Sequence, residues 1–470
     1  MNPYLPAWSM ERITLLAPDT SSSQSGREIA NTQHSAWQAI ASDGFSAWAV
    51  YQDKKKTPYK IKIDLLKIRH NNNVWDCNCR TYKTPCKHII ALLYMLINEP
   101  DAITQASPPN WVEEWLDKEA LSARKREERK QKNDIITPER IAQRQKQSAK
   151  RKQKITGGLE ELEQWLVNMI RRGLTDPQVQ TEEFWHNRAA RLVDAQAPGI
   201  ASWLREMSTI PSTNADWIAD LLEQLGRLYL LIESFKRYDL LSVETQADLR
   251  TMVGWHIKRD EMVFYDTLKI SDTWQVIGQY TGDVIDNNKK STRRGLKTQR
   301  IWLRGIDSGR NALILEFTFG DSAFETIRQV GSAFKAELSF FPSSSPLRAF
   351  ISDFHDEEST KHQIIGQTIT ESIEDYAKTI AKNPWLMQYP FVLEEVIPLP
   401  LENQWIVREV DGTYLPIDEA FPQIFNLFAV SGGHPIRLSG EWNGTSFYPT
   451  GAMVDERIIN FNMDGKFNSA

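Results

Sequence analysis

WDCNCRTYKTPCKHIIALLYML, residues 75–96, is the stretch that decides how the first part of this chain folds. Its cysteines, Cys77, Cys79 and Cys86, are the only 3 in 470 residues, and His88 stands two positions after the last. A secreted disulfide scaffold spreads an even number of cysteines along the chain. Three thiols and an imidazole in one short window point instead to a metal in a reducing compartment. A structural zinc takes four nitrogen or sulfur ligands in a tetrahedron. Cys77 and Cys79 can converge on it where a strand ends, because side chains at i and i+2 share a face. Cys86 and His88 cannot both sit in a regular helix, where i and i+2 point about 200° apart. Pro85 addresses this by favouring a helix that begins directly after it. Cys86 is then expected at the helix start, where the N-terminus favours thiolate over thiol, and His88 in the first turn. The apolar stretch Ile89–Leu96 packs beneath. The expectation is one structural Zn2+ held by Cys77, Cys79, Cys86 and His88. Four protein ligands leave no position for water, which argues against a catalytic metal.

Outward from the cysteines, Ser46–Gln52 (SAWAVYQ) and Pro58–Leu66 (PYKIKIDLL) read as strands, with Lys54–Lys56 at their connection. A short third strand enters at Val74–Trp75, and Lys87–Asn98 is helical up to Glu99-Pro100. Upstream, the Ser/Gln-rich TSSSQSG at 20–26 reads as loop. Residues 118–154 have almost no apolar content and read as a charged linker: a hinge, a solvated helix or a disordered tether. Gly158–Gly173 resumes helical periodicity, with Leu159, Leu162, Leu166, Met169 and Ile170 on one face. Helical patterns continue through Ala189–Met207, Ala215–Arg237 and Val243–His256. After Thr267 strand patterns dominate, and Ile369–Ala381 is a helix. The expected fold class is multidomain α+β. It comprises a small ββα-like zinc domain, an all-α helical bundle and a mostly-β or α+β carboxy-terminal domain. The expected divisions are 1–117 (finger about 45–100), 118–154, 155–266 and 267–470.

The quoted stretch, preceded by SAWAVYQDKKKTPYKIKIDLL, closely resembles the SWIM zinc finger with its Cys-x-Cys and Cys-x-His ligand pairs. The resemblance implies a ββα-like fold with a role in DNA binding or protein–protein contact. GLEELEQWLVNMIRRGL, RAARLVDAQAPGIASWLRE, GRLYLLIESF, YAKTIAKNPWL and AVSGGHPIRLSGEW resemble uncharacterised bacterial SWIM-finger proteins of this size, so the likeness covers nearly the whole chain. It implies a shared assembly with MoxR-type AAA ATPases and von Willebrand factor A proteins. One departure is CNCRTYKTPCKH where such proteins more often read CSCPSRKFPCKH; the ligands are kept and the surface differs.

The net charge of -5 conceals an asymmetry. Residues 53–88 carry a net +7 and residues 124–154 a net +9, which leaves -21 on the remainder. Lys54, Lys55, Lys56, Lys60, Lys62, Arg80, Lys83 and Lys87 surround the finger with Tyr82 among them. Basic charge with interleaved aromatics suits phosphate contact plus base stacking. It equally suits an acidic partner protein, including this chain's own acidic body. The basic residues of 124–154 have a simpler reading, since a charged connector needs them to stay solvated. No apolar run reaches the roughly 20 residues of a membrane span, and no secretory signal opens the chain, so a cytoplasmic location is expected. Neither a Walker loop nor a Gly-x-Ser-x-Gly elbow is present, the cysteines are committed to metal, and no small-molecule substrate suggests itself. His355-Asp356 falls in a polar stretch read as loop, and His434 follows a Gly-Gly turn. The expected function is therefore a zinc-binding recognition or adaptor protein without catalytic residues. Its finger contacts nucleic acid or a partner such as an AAA ATPase, and an unrecognised enzyme in the carboxy-terminal region is the remaining alternative.

Overall fold

The structure is a computed structural model that describes residues 5, 8, 10–18, 20–31, 36–52, 57–69, 74–81, 83–134, 138–212, 216–265, 267–283, 296–319, 324, 330–358, 365–402, 404–454, 457–461 and 468–469. In the amino-terminal unit, α1 (Met10–Leu16) and α2 (Thr20–Ala30) precede β1 (Trp37–Ser42), β2 (Ser46–Tyr51) and β3 (Tyr59–Asp64). Then come α3 (Leu65–Arg69), β4 (Trp75–Cys77), α4 (Lys87–Asn98) and β5 (Thr104–Gln105). The strands form one sheet in the order β4-β3-β2-β1-β5, with only the β1–β5 pair parallel. Every residue of α4 from His88 to Leu96 is buried. A helix that is apolar on all sides needs cover on all sides. Here Ile61 and Ile63 of β3 lie against it within one core, and α1 and α2 pack on it as well.

That packing corrects the loop reading of TSSSQSG, which forms the first two turns of α2. Low intrinsic helix propensity is overridden by fit. A Cβ on Gly26 would stand 2.4 Å from Ile90 Cγ2, so only glycine admits α4 this closely. The serines serve the same contact. The buried Tyr94 hydroxyl meets Ser23 Oγ at 3.0 Å and Thr14 Oγ1 at 3.1 Å, and accepts from Arg27 Nε at 3.0 Å.

The stretch 118–154 is helical wherever it is described. It lies in α5 (Asn110–Asp134) and in the first half of α6 (Pro138–Arg172). Val112 and Trp111 at the start of α5 pack with Ala41 and Trp48. Several charges of α6 meet the acidic body: Arg144 pairs with Asp260 at 2.6 Å and Lys152 with Asp239 at 2.5 Å. Arg151 Nη2 donates to the Gly254 carbonyl at 3.0 Å. α6 then enters a bundle with α7 (Glu182–Asp194), α8 (Pro198–Met207), α9 (Trp217–Lys236) and α10 (Val243–Met252). Leu159, Leu162, Leu166 and Met169 are buried there, whereas Ile170 is exposed. Arg188 and Arg191 both approach Glu161 of α6 at 3.6 Å, bridging two helices.

The carboxy-terminal region holds two β-structures. The strands β6 (Lys269–Asp283), β7 (Leu296–Gly305), β8 (Asn311–Phe319), β9 (Ala333–Phe340) and β10 (Arg348–Glu358) close into a barrel. β6, β7 and β8 form a meander, β8 pairs in parallel with β10, and β9 closes the ring between β10 and β6. That connectivity is the five-stranded Greek-key barrel of the OB type. His355 and Asp356 lie in β10, not in a loop. Ser352, Asp353 and His355 are exposed there, which suits their polarity. α11 (Ile369–Ile380) is followed by β11 (Tyr389–Leu401), β12 (Gln404–Arg408), β13 (Tyr414–Pro416) and α12 (Ile424–Ser431). β14 (Ile436–Trp442), β15 (Phe447–Val454), β16 (Arg457–Asn460) and β17 (Asn468–Ser469) complete a second sheet in the order β13-β12-β11-β14-β15-β16-β17.

Glu441 of β14 joins sheet to barrel. It accepts from Arg300 Nε at 2.8 Å, Arg300 Nη2 at 2.6 Å and Trp302 Nε1 at 2.8 Å, all on β7. An OB barrel binds oligonucleotides on the face of its second and third strands. Here β14 contacts that face on β7. The chain thus combines a zinc domain, a helical bundle and a β-rich carboxy-terminal region. Among the described residues, no helix is long and apolar enough to cross a membrane.

Candidate metal centre

β3, β4 and α4 bring the four donors together. β4 ends on Cys77, and its pairing with β3 sets Cys77 opposite Ile61. Asn78 ties the following turn back to β3: its Oδ1 accepts from the Lys60 amide at 2.8 Å, and its Nδ2 donates to the Pro58 carbonyl. Cys86 is the N-cap of α4, with φ -76 and ψ 164, and its carbonyl accepts from the Ile90 amide at 3.0 Å. One non-helical residue at the helix start therefore turns the Cys86 thiol toward the first-turn His88. This is the arrangement that the i, i+2 geometry requires.

The donor atoms of Cys77, Cys79, Cys86 and His88 all lie within 4.8 Å of one another. His88 Nδ1 stands 3.9 Å from Cys77 Sγ and 3.9 Å from Cys86 Sγ. Zn–S bonds of about 2.3 Å and Zn–N bonds of about 2.0–2.1 Å at tetrahedral angles give ligand–ligand edges of about 3.6–3.8 Å. The two His88 edges are within a few tenths of an ångström of that cage and every other edge is within 4.8 Å, so the donor set fits the ion. Cys86 and His88 are buried, and Cys77 and Cys79 are half-buried.

The electrostatics ask for a cation as well. Hydrogen bonds from the Cys77 and Cys86 thiols hold Cys79 far below the ordinary thiol range. Its contacts with Cys79 and Cys86, reinforced by burial, push Cys77 far above that range. Three thiolates this close repel one another. A divalent cation among them is what lets all three be thiolates. The imidazole is fixed from outside: the Tyr59 ring stacks on His88 at 4.2 Å, and Tyr51 lies 5.7 Å away.

Residues 59–97 match the SWIM zinc finger, and residues 150–253 match the SWIM-associated four-helix bundle domain. The chain carries a SWIM zinc finger. Its ligands are the Cys-x-Cys and Cys-x-His pairs, and its cofactor is one structural Zn2+. No curated protein and no solved structure matches the chain. The finger is set in a larger unit than its motif spans. Leu5 and Trp8 ahead of α1, Ile13 and Leu16 of α1, Ile29 of α2, Trp37 of β1 and Ala49 of β2 add to the core beneath α4.

The basic residues around the SWIM finger divide between two faces. Arg80, Lys83 and Lys87 gather at the rim of a cleft of about 600 Å³ beside Cys79 and His88. Lys60 and Lys62 alternate with the buried Ile61 and Ile63 and so turn to the other side of β3. There Lys60 Nζ lies 5.4 Å from the Trp111 ring, and Lys62 Nζ lies 5.5 Å from the Trp115 ring. Lys62 also pairs with Asp76 at 2.7 Å. Lys54, Lys55, Lys56 and Tyr82 lie outside the described residues. The far wall of the cleft comes from Ser21, Ser22 and Ser25 of α2, which sequence reasoning missed because it read that segment as loop. The signal available was Gly26 four residues after Ser22, a spacing of small residues that suits close helix packing. His434 is exposed in the turn after α12.

Proposed function

We propose that this chain is a cytoplasmic, non-enzymatic recognition protein whose zinc-ordered finger face contacts nucleic acid. The observation that carries the proposal is the cleft beside the zinc ligands. Arg80, Lys83 and Lys87 line it together with hydroxyl groups, and none of its described lining residues carries a carboxylate. On a chain of net charge -5, three cationic side chains gathered at one cleft favour a polyanion. Zinc serves this role indirectly, by fixing the turn that carries Arg80 and Lys83 and the helix start that carries Lys87. Part of the basic charge of α6 is engaged within the chain, as in Arg144–Asp260 and Lys152–Asp239.

Three phosphate contacts on a single strand give a salt slope of about -2, so affinity falls about 20-fold between 50 and 200 mM salt. Fluorescence anisotropy with the full chain and a labelled oligonucleotide tests this, using R80E/K83E as the variant and zinc content as the control for folding. Salt-independent binding, or binding unchanged in a zinc-loaded R80E/K83E, rules the proposal out.

A protein-adaptor role has its own support at the other end of the chain. Phe425 of α12 is 74% exposed and packs edge-on to Trp405, with Phe428 beside it. Exposed aromatic groups of this kind suit docking of a partner protein. An AAA ATPase is the partner to test, by co-purification in the presence of nuclease with F425D/F428D as the control.

A further inference from the structure

α9 is apolar on two sides. Leu221, Leu225, Leu228, Leu231, Ile232 and Phe235 fill the bundle core. The outward side carries Ile218, Leu222, Tyr229 and Leu230, with Leu222 54% and Leu230 45% exposed. At 3.6 residues per turn these four fall within about 120° of the helix surface and form one stripe. A helix that is apolar all round needs cover all round. α4 has that cover, whereas this chain covers α9 on its inner side only. Ala219 and Gly226 lie in the same stripe, and both are exposed. A Cβ on Gly226 would meet nothing within 4 Å, so the glycine answers no contact inside the chain, although glycine weakens a helix interior. Charge is divided along the helix. Asp216, Asp220 and Glu223 lie in its first half, and Lys236 and Arg237 stand at its end, all exposed. Lys236 is shared with Glu163 and Glu233 at 2.6 Å.

We propose that α9 is the contact of a two-fold homodimer, in which it pairs antiparallel with α9 of a second copy of this chain. A two-fold contact must be self-complementary. Turned about Gln224, the stripe meets that condition. Leu222 faces Gly226 of the second copy, Tyr229 faces Ala219, and Ile218 faces Leu230. The two inner pairs set a large side chain on a small one, which is how facing helices interdigitate. The charges choose the direction. Antiparallel pairing carries the acidic first half of each helix toward Lys236 and Arg237 of the other, whereas parallel pairing sets like charges together. A contact between single helices about 30 Å long lies at the small end of specific interfaces. The dimer is therefore expected to be weak, with a Kd on the order of tens of micromolar.

The test is sedimentation equilibrium of the zinc-loaded full chain from about 1 to 100 µM, over which the mass should rise toward that of two chains. Leu222→Asp should weaken the dimer about tenfold or more, because it places an unpaired charge in the contact. Gly226→Leu is the sharper variant. It disturbs nothing inside the chain and improves helix propensity, yet it fills the space that receives Leu222 of the second copy. It should abolish the dimer while a thermal melt shows the bundle as stable as wild type or more so. Arg237→Asp should also weaken the dimer, and adding Asp216→Arg should restore it. A wild-type chain that stays monomeric over the whole range overturns the proposal and leaves the stripe to a different protein. A dimer indifferent to both Leu222→Asp and Gly226→Leu overturns it as well, since the contact then lies elsewhere.

Discussion

The Tyr59 ring lies 4.2 Å from the His88 imidazole with 25° between their planes, so β3 holds the one nitrogen ligand of the zinc centre in place. Tyr59 makes no bond to the metal. Its part is to limit ring rotation, so that Nδ1 faces Cys77 and Cys86. Substituting groups that orient a ligand typically costs about 10–100-fold in metal affinity. Tyr59→Ala is expected at the low end of that range, about tenfold, and Tyr59→Phe is expected to be close to wild type. Competition with a chromogenic chelator measures both.

Proton release should accompany zinc uptake. Contacts with Cys79 and Cys86, together with burial, hold the Cys77 thiol far above its ordinary pKa, so it is protonated at neutral pH until metal arrives. Its proton must leave when zinc binds. A group protonated in the free form and ionised in the complex makes affinity fall as pH falls. Zinc affinity is therefore expected to drop steadily between about pH 8 and 6. Calorimetry in buffers of different ionisation enthalpy should count at least one proton released per zinc at neutral pH.

Two glycines in helices should respond in opposite directions. At Gly26 a Cβ would meet Ile90 Cγ2 at 2.4 Å and Ile90 Cβ at 2.8 Å, while at Gly157 of α6 nothing lies within 4 Å. Removing a helical glycine gains about 0.5–1 kcal/mol, and overpacking a core costs about 1–3 kcal/mol. Overpacking wins at Gly26, so Gly26→Ala should destabilise the amino-terminal unit by about 1–2 kcal/mol. Gly157→Ala should stabilise the bundle by about 0.5–1 kcal/mol. Chemical denaturation of the full chain resolves the two.

Glu441 should be the most sensitive single residue between barrel and sheet. It is 4% exposed and accepts three hydrogen bonds from Arg300 and Trp302. Glu441→Ala leaves the Arg300 guanidinium without its carboxylate, a change expected to cost about 3–5 kcal/mol. Glu441→Gln can still accept from Trp302 and should cost less. A thermal melt of each variant orders them.

Much of the zinc centre could be read before any coordinates. Three cysteines in one window, Pro85 ahead of Cys86 and an unbroken apolar run after His88 left few ways to arrange the chain, and α4 runs over Lys87–Asn98 as expected. The helical face of Leu159, Leu162, Leu166 and Met169 was legible for the same reason, since burial imposes a period. What escaped depends on partners distant in sequence. TSSSQSG has the composition of a loop, and it is helical because Gly26 lets α4 approach and Tyr94 takes up the Ser23 hydroxyl. The split of the basic cluster into two faces was implicit in the alternation of Lys60 and Lys62 with Ile61 and Ile63. It became visible only once Trp111 and Trp115 were found on the far side. The closed barrel was hidden because a parallel pair between β8 and β10 leaves no local signature.

Everything proposed for the finger face depends on a divalent ion joining the end of β4 to the start of α4. Elemental analysis of the purified full chain tests this most directly. One zinc per polypeptide is predicted, reduced to a trace in a Cys79→Ser/Cys86→Ser variant whose bundle and barrel still fold. Wild-type protein that is folded, reduced and free of zinc would contradict the account.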